Sequence, residues 1–177
     1  MKQKISNEEF QKLSDEMVIQ FAEKQTPKIW HQMAMEWNET SVFLNWLADN
    51  PNTDKATALM LYWMSGPRYF KQFKNREEAG SNTSKFDLIE NIESKYLNGF
   101  YNKQNFSFDP NTADFSGTVW VEEYLDKTIV REIPAIMFEK LEGEHIAEPE
   151  GFIEGMPPEL YDGQDELCEK YGFFNNQ

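Results

Sequence analysis

His31 and His145 are the only imidazoles in the chain, and Cys168 is its only thiol. A metal centre needs three or four converging donors, so two histidines far apart in sequence serve only if carboxylates complete the set. His31 lies between Trp30 and Gln32 on a helical pattern and reads as a packed or surface histidine, with a catalytic base or ligand as the sharper alternative. His145, in E-G-E-H-I, stands among glutamates that raise its affinity for a proton or a divalent cation, although a solvated loop histidine is the plainer reading. Cys168 sits in E-L-C-E-K, where Glu166 and Glu169 disfavour the thiolate and point to a structural thiol. A lone cysteine excludes an internal disulfide and a multi-cysteine metal knot.

Other reaction signatures are missing. The sequence has no G-x-S-x-G elbow, phosphate-cradling glycine loop, dinucleotide fingerprint or H-E-x-x-H. Carboxylates are so abundant that no glycosidase-like pair stands out. The D-P-N-T-A-D run from Asp109 begins like a calcium loop, but it lacks the acid at the fifth place and the glycine at the sixth, and Trp120 stands where the bidentate glutamate belongs. Asn52, Asp54 and Thr57 gather at a helix start that favours an anion, a role Asp54 fills itself as a cap. No catalytic residue, metal or cofactor is assigned.

Charge is more informative. Of the 31 acidic and 17 basic residues, positions 1–108 hold 14 and 13, whereas 109–177 hold 17 and 4. The acidic end repels phosphate backbones, which argues against direct nucleic-acid binding, and attracts a basic protein or cations; a merely solubilising surface is the bland alternative. Glu142, Glu144, Glu148, Glu150, Glu154, Glu159, Asp162, Asp165 and Glu166 are the candidate partner-binding residues. One basic stretch, Arg68 to Arg76, interleaves Lys71 and Lys74 with Tyr69, Phe70 and Phe73. Such a pattern can hold an anionic strand, but the aromatics take the core-facing positions and leave the cations as the wet side of an amphipathic helix, able to pair with the protein's own acidic end.

The elements follow from capping and spacing. Ser6 and Glu9 form a capping box, with Ile5 and Phe10 spaced as a hydrophobic staple, for a helix from about Asn7 to Lys24. Thr26-Pro27 opens a second helix, carrying Ile29, Trp30, Met33 and Trp37, and Thr40 or Ser41 caps a third, which carries Val42, Phe43, Trp46 and Leu47. Asp54 to Met64 has no charge after Lys55 and stops at Gly66-Pro67. A helix apolar all round must be surrounded by protein, and this one is far shorter than the roughly 20 residues that cross a bilayer. It predicts a central strut. A short amphipathic helix then starts at Gly66-Pro67, Glu77 to Ser84 reads as a linker, and Phe86 to Leu97 keep helical spacing. Thr118 to Val121 reads as a short strand or extended strap, Pro134 as the start of a helix, and Pro158 to Tyr171 as a last one.

The order W-N, then L-x-W-L-x-x-N-P-x-x-D-x-x-T-A-L-x-x-Y-W from Trp37 to Trp63 resembles a small bacterial family filed as a domain of unknown function. Tyr96 to Tyr101 and Phe108 to Pro110 are similar to its continuation, so the likeness covers residues 8–110. It implies a bacterial, mostly helical, stand-alone domain and brings no activity with it.

The reading is therefore mainly α: a helical core domain over 1–108 and a less regular acidic extension over 109–177 packed on the same domain. The absence of an apolar run near Met1 or of transmembrane length later predicts a cytoplasmic protein, with no membrane partner. The function expected is a non-enzymatic protein-binding module, an immunity- or antitoxin-like inhibitor of a basic partner. The alternatives are a small-molecule binder or enzyme, with an aromatic pocket of Trp30, His31, Trp37, Trp46, Tyr62 and Trp63, and a structural subunit of an assembly.

Overall fold

The computed structural model describes residues 4–38 and 41–173. Among them are seven α-helices and no sheet: α1 (Asn7–Ala22), α2 (Pro27–Glu36), α3 (Ser41–Asp49), α4 (Lys55–Met64), α5 (Pro67–Phe70), α6 (Thr83–Leu97) and α7 (Pro158–Tyr171). No helix among the described residues is long and apolar enough to cross a membrane. The chain forms two compact units, one from Met1–Trp46 with Pro149–Gln177 and one from Leu47–Glu148, and the division falls within α3.

In the first unit α1 begins at the capping box. Ser6 Oγ accepts from the Glu9 amide at 3.1 Å, and Glu9 Oε2 accepts from the Ser6 amide at 2.8 Å, so two orphan donors are satisfied reciprocally. Thr26 caps α2, with Pro27 in its first turn. The Trp30 indole donates to the Ala22 carbonyl at 2.7 Å and fixes the corner between α1 and α2. Thr40, one of the two residues read as a cap for α3, lies outside the described residues. α7 packs against α1: Ser14 and Gln164 exchange two hydrogen bonds, and Gly163 brings the helices close enough that a Cβ there would stand 3.2 Å from Met17 Sδ. Phe10 stacks on Phe173 with centroids 4.1 Å apart. Before α7 the chain doubles back at Ile153–Met156, where Glu154 (φ 52) and Gly155 (φ 84) are both left-handed. Gly155 is required there, because a Cβ would lie 2.7 Å from the Met33 carbonyl oxygen and from Trp37 Cα.

The second unit is built round the strut. Ala56 to Trp63 are all buried, as an apolar helix without a wet face demands. Asp54 Oδ1 caps the helix by accepting from the Ala56 amide at 2.9 Å. α6 packs along α4. Trp63 donates its indole hydrogen to the Met137 carbonyl at 2.7 Å and meets Phe138 edge to face at 4.9 Å.

Three local expectations are corrected. Glu77–Asn82 is not a bare linker but a 3-10 segment kinked at Gly80 (φ 59), which lets α6 start at Thr83. Of the two readings of Thr118 to Val121, the strand does not form: Val119 is extended, a 3-10 turn follows at Trp120–Glu122, the Val121 amide goes to the Pro110 carbonyl and the Trp120 indole to Asp114, and among the described residues no neighbouring strand claims them. The element after Pro134 is one 3-10 turn, Ala135–Phe138. Pairing elsewhere is confined to isolated bridges, Phe106 with Glu144 and Phe108 with Leu141 among them.

Candidate functional site

The densest polar constellation lies in the second unit and was not legible in the sequence. Lys71, expected on a wet helix face, is 2% exposed. The helix opened by Pro67 lasts a single turn, so Lys71 follows its end and turns inward beside α6. Its ammonium donates to Glu93 Oε1 at 2.8 Å and Glu90 Oε1 at 3.1 Å. Glu93 Oε2 accepts from the Tyr62 hydroxyl at 2.5 Å, and Glu90 Oε2 pairs with Arg131 at 2.8 Å. Arg131 also donates to the Phe73 and Phe70 carbonyls and lies over the Phe86 ring. Burial pushes the Glu90 carboxyl up, but Arg131 and Lys71 pull it further down, to below its ordinary value. Burial, followed by the Glu93 and Glu90 charges, drives the Tyr62 hydroxyl strongly upward. Every charge in this network has an internal partner, so it clamps α4, α5, α6 and the segment around Arg131 together rather than presenting a free acid, base or nucleophile. The two glutamates stand at helical spacing in α6, a signal open to sequence reading only with knowledge of which basic residue meets them.

The other candidates divide between the units. Glu150, Glu154, Glu159, Asp162, Asp165 and Glu166 belong to the first and Glu142, Glu144 and Glu148 to the second, and all nine are exposed. On α7, Glu159, Asp162, Glu166 and Glu169 recur at one-face spacing, opposite the side that holds buried Leu160, and with Asp165 they make no salt bridge among the described residues. Glu142 is paired with Lys140 at 2.7 Å. A groove of about 570 Å³ along α1 is also edged by carboxylates, those of Glu8, Asp15, Glu16 and Glu23 against the single ammonium of Lys12.

Of the aromatic set, Trp30, Trp37 and Trp46 come together in the first unit. Trp30 meets Trp46 edge to face at 5.1 Å, and Phe43 bridges Trp46 to Trp37. Tyr62 and Trp63 are neighbours in the second unit, perpendicular at 5.7 Å. His31 is buried in α2, whereas His145 is exposed. Asp54 is 1% exposed and spends its second oxygen on the Asn105 amide at 2.6 Å, which confirms a cap and leaves that oxygen committed to backbone. Asp109 and Asp114 are likewise taken up by their own loop, Asp114 accepting from Ser116, Thr118 and Trp120. Burial, with Asp165 nearby, pushes the Cys168 thiol up, away from the reactive thiolate.

Residues 25–97 match the model of a family described as a domain of unknown function, DUF4274. The match ends with the last residue of α6 and contains the Trp37–Trp63 motif; the acidic positions from Glu142 to Glu166 lie beyond it. No curated protein and no solved structure matches the chain.

Proposed function

We propose that the chain is a non-enzymatic protein-binding module whose acidic C-terminal portion engages a basic protein partner, in the manner of an immunity protein or antitoxin that masks a toxin by presenting carboxylates where phosphates would sit. The observation that carries this reading is the face of α7, where Glu159, Asp162, Glu166 and Glu169 are exposed in one stripe, none of them in a salt bridge among the described residues, and Lys170 is the single cation of the helix. A stripe held on a packed helix is pre-organised, and unscreened carboxylates of one sign steer a positively charged partner and raise its rate of encounter. Support for the non-enzymatic half comes from the polar groups best placed for chemistry, Lys71, Glu90, Glu93, Tyr62 and Asp54, all of which are committed to structural bonds.

The test is capture of a partner from lysate of the protein's own host, washed at low and high salt, beside a Glu159→Lys/Asp162→Lys/Glu166→Lys variant with an unchanged melting curve. One stoichiometric basic protein, released by high salt and not held by the variant, is the expected result. A partner held equally by the variant, or no basic partner at either salt, refutes the reading.

A further inference from the structure

The segment from Trp120 to Glu132 presents three of its apolar side chains outward, while Trp120, Val121 and Ile129 are half-buried. Leu125 is 63% exposed, Val130 53% and Tyr124 42%, three of the six exposed large hydrophobic residues among the described residues. This is not a slack loop. At one end Arg68 donates to the Val121 carbonyl at 3.0 Å and the Val121 amide goes to Pro110. At the other end the amides of Val130 and Arg131 both go to the Lys71 carbonyl, and Arg131 is clamped to Glu90. Between these anchors Tyr124 is held at φ 58, a conformation bulky residues rarely adopt, with its ring against Tyr69 at 5.4 Å and over Gly66, where a Cβ would stand 3.0 Å away. The Lys127 amide closes the turn on the Tyr124 carbonyl. A fixed backbone thus holds Leu125 and Val130 in water.

In the same segment Glu122, Glu123, Asp126 and Glu132 are exposed; its single lysine, Lys127, is paired with Asp126 at 2.8 Å, and Arg131 is taken up by Glu90. The remaining three carboxylates, Glu122, Glu123 and Glu132, have no cation of their own among the described residues. A second copy of this chain, with net charge -14, would bring like charge to this rim, and nucleic acid and anionic lipid surfaces would do the same.

We infer that this strap is a docking surface for a segment of a basic protein that carries aliphatic side chains flanked by lysine or arginine, with Leu125 and Val130 as the apolar anchors and Glu122, Glu123 and Glu132 as the rim. An apolar centre within a charged rim is how the binding energy of a protein contact is commonly arranged. The inference shares with the proposed function the premise that the partner is a basic protein, but it rests on different residues.

The test uses two labelled peptides of equal charge, acetyl-KLLKKLLK-amide and acetyl-KSSKKSSK-amide, titrated into the isotopically labelled full chain. The leucine peptide should bind at least about tenfold more tightly and shift the amides of residues 122–132. Leu125→Ser and Val130→Ser, singly and together, should remove most of that preference while leaving the serine peptide unchanged. Glu122→Gln/Glu123→Gln/Glu132→Gln should weaken both peptides. The α7 lysine variant should leave the shifts of 122–132 intact, so failure of the host-lysate capture and failure here are distinguishable. Equal affinity for the two peptides, shifts confined to other residues, a dimer in sedimentation that Leu125→Ser dissolves, or binding to phosphatidylglycerol vesicles that Leu125→Ser abolishes would each overturn the inference.

Discussion

Replacing Lys71 by methionine tests the buried network most directly. Methionine keeps the length and apolar stem of lysine and removes only the ammonium, which is 2% exposed and donates to Glu93 at 2.8 Å and Glu90 at 3.1 Å. Glu90, a third exposed, keeps Arg131. Glu93, only 13% exposed, keeps nothing but the Tyr62 hydroxyl. Breaking a buried pair from one side costs about 3–5 kcal/mol, and the survival of the Arg131 contact sets the expectation near the lower end, about 3 kcal/mol at neutral pH. For a chain of this size that is a fall in Tm of about 6–12 °C. Adding Glu93→Gln should recover most of the loss, because the uncompensated charge is then gone. The pH dependence has a definite sign. The Glu90 carboxyl is depressed in the folded protein below its ordinary 4.5, so its contribution is present above that value and lost as pH falls through the lower, folded one. Lys71 supplies part of that depression, so wild type should lose stability on acidification more steeply than the variant, and the gap between them should narrow. Urea unfolding followed by tryptophan fluorescence at pH 7, 5 and 4 measures both effects. A loss at pH 7 below about 1 kcal/mol, or a gap that widens on acidification, would refute the account of the network as a clamp held by Lys71.

Two further outcomes are expected. Asp54→Ala should cost about 3 kcal/mol, a lost cap together with a buried amide left unpaired, and should speed hydrogen exchange at Ala56 and Asn105, the two amides its carboxylate holds. Gly155→Ala should destabilise the first unit by at least about 2 kcal/mol, since a left-handed φ of 84° is joined to a Cβ 2.7 Å from backbone atoms of Met33 and Trp37; limited proteolysis of the Ile153–Met156 turn reads it.

What was legible in the sequence was local. The Ser6–Glu9 box, Thr26-Pro27, Asp54 and Gly66-Pro67 each act within one helical turn, and each marks a helix start or stop where expected. The strut was legible because an uncharged helix has one environment open to it. Lys71 was misplaced because periodicity reports which face a residue occupies only while the helix continues, and α5 ends at Phe70. The fate of Thr118 to Val121 turned on whether another strand lay beside it, which its own composition does not encode. The α7 carboxylates could be numbered as candidates but not sorted, since their gathering on one face becomes visible only when Leu160 defines the face turned inward.

The order of synthesis gives the pairing of α1 with α7 a kinetic meaning. Ser14 and Gln164 are separated by 150 positions, while all of the second unit is contiguous between them. At translation rates of about 5–20 residues per second, α1 waits on the order of ten seconds for the helix that covers it, long after residues 47–148 have what they need to collapse. During that interval Phe10, Ser14 and Met17 are without the native partners that Phe173, Gln164 and the close approach at Gly163 later supply, and this side of α1 is open to a chaperone.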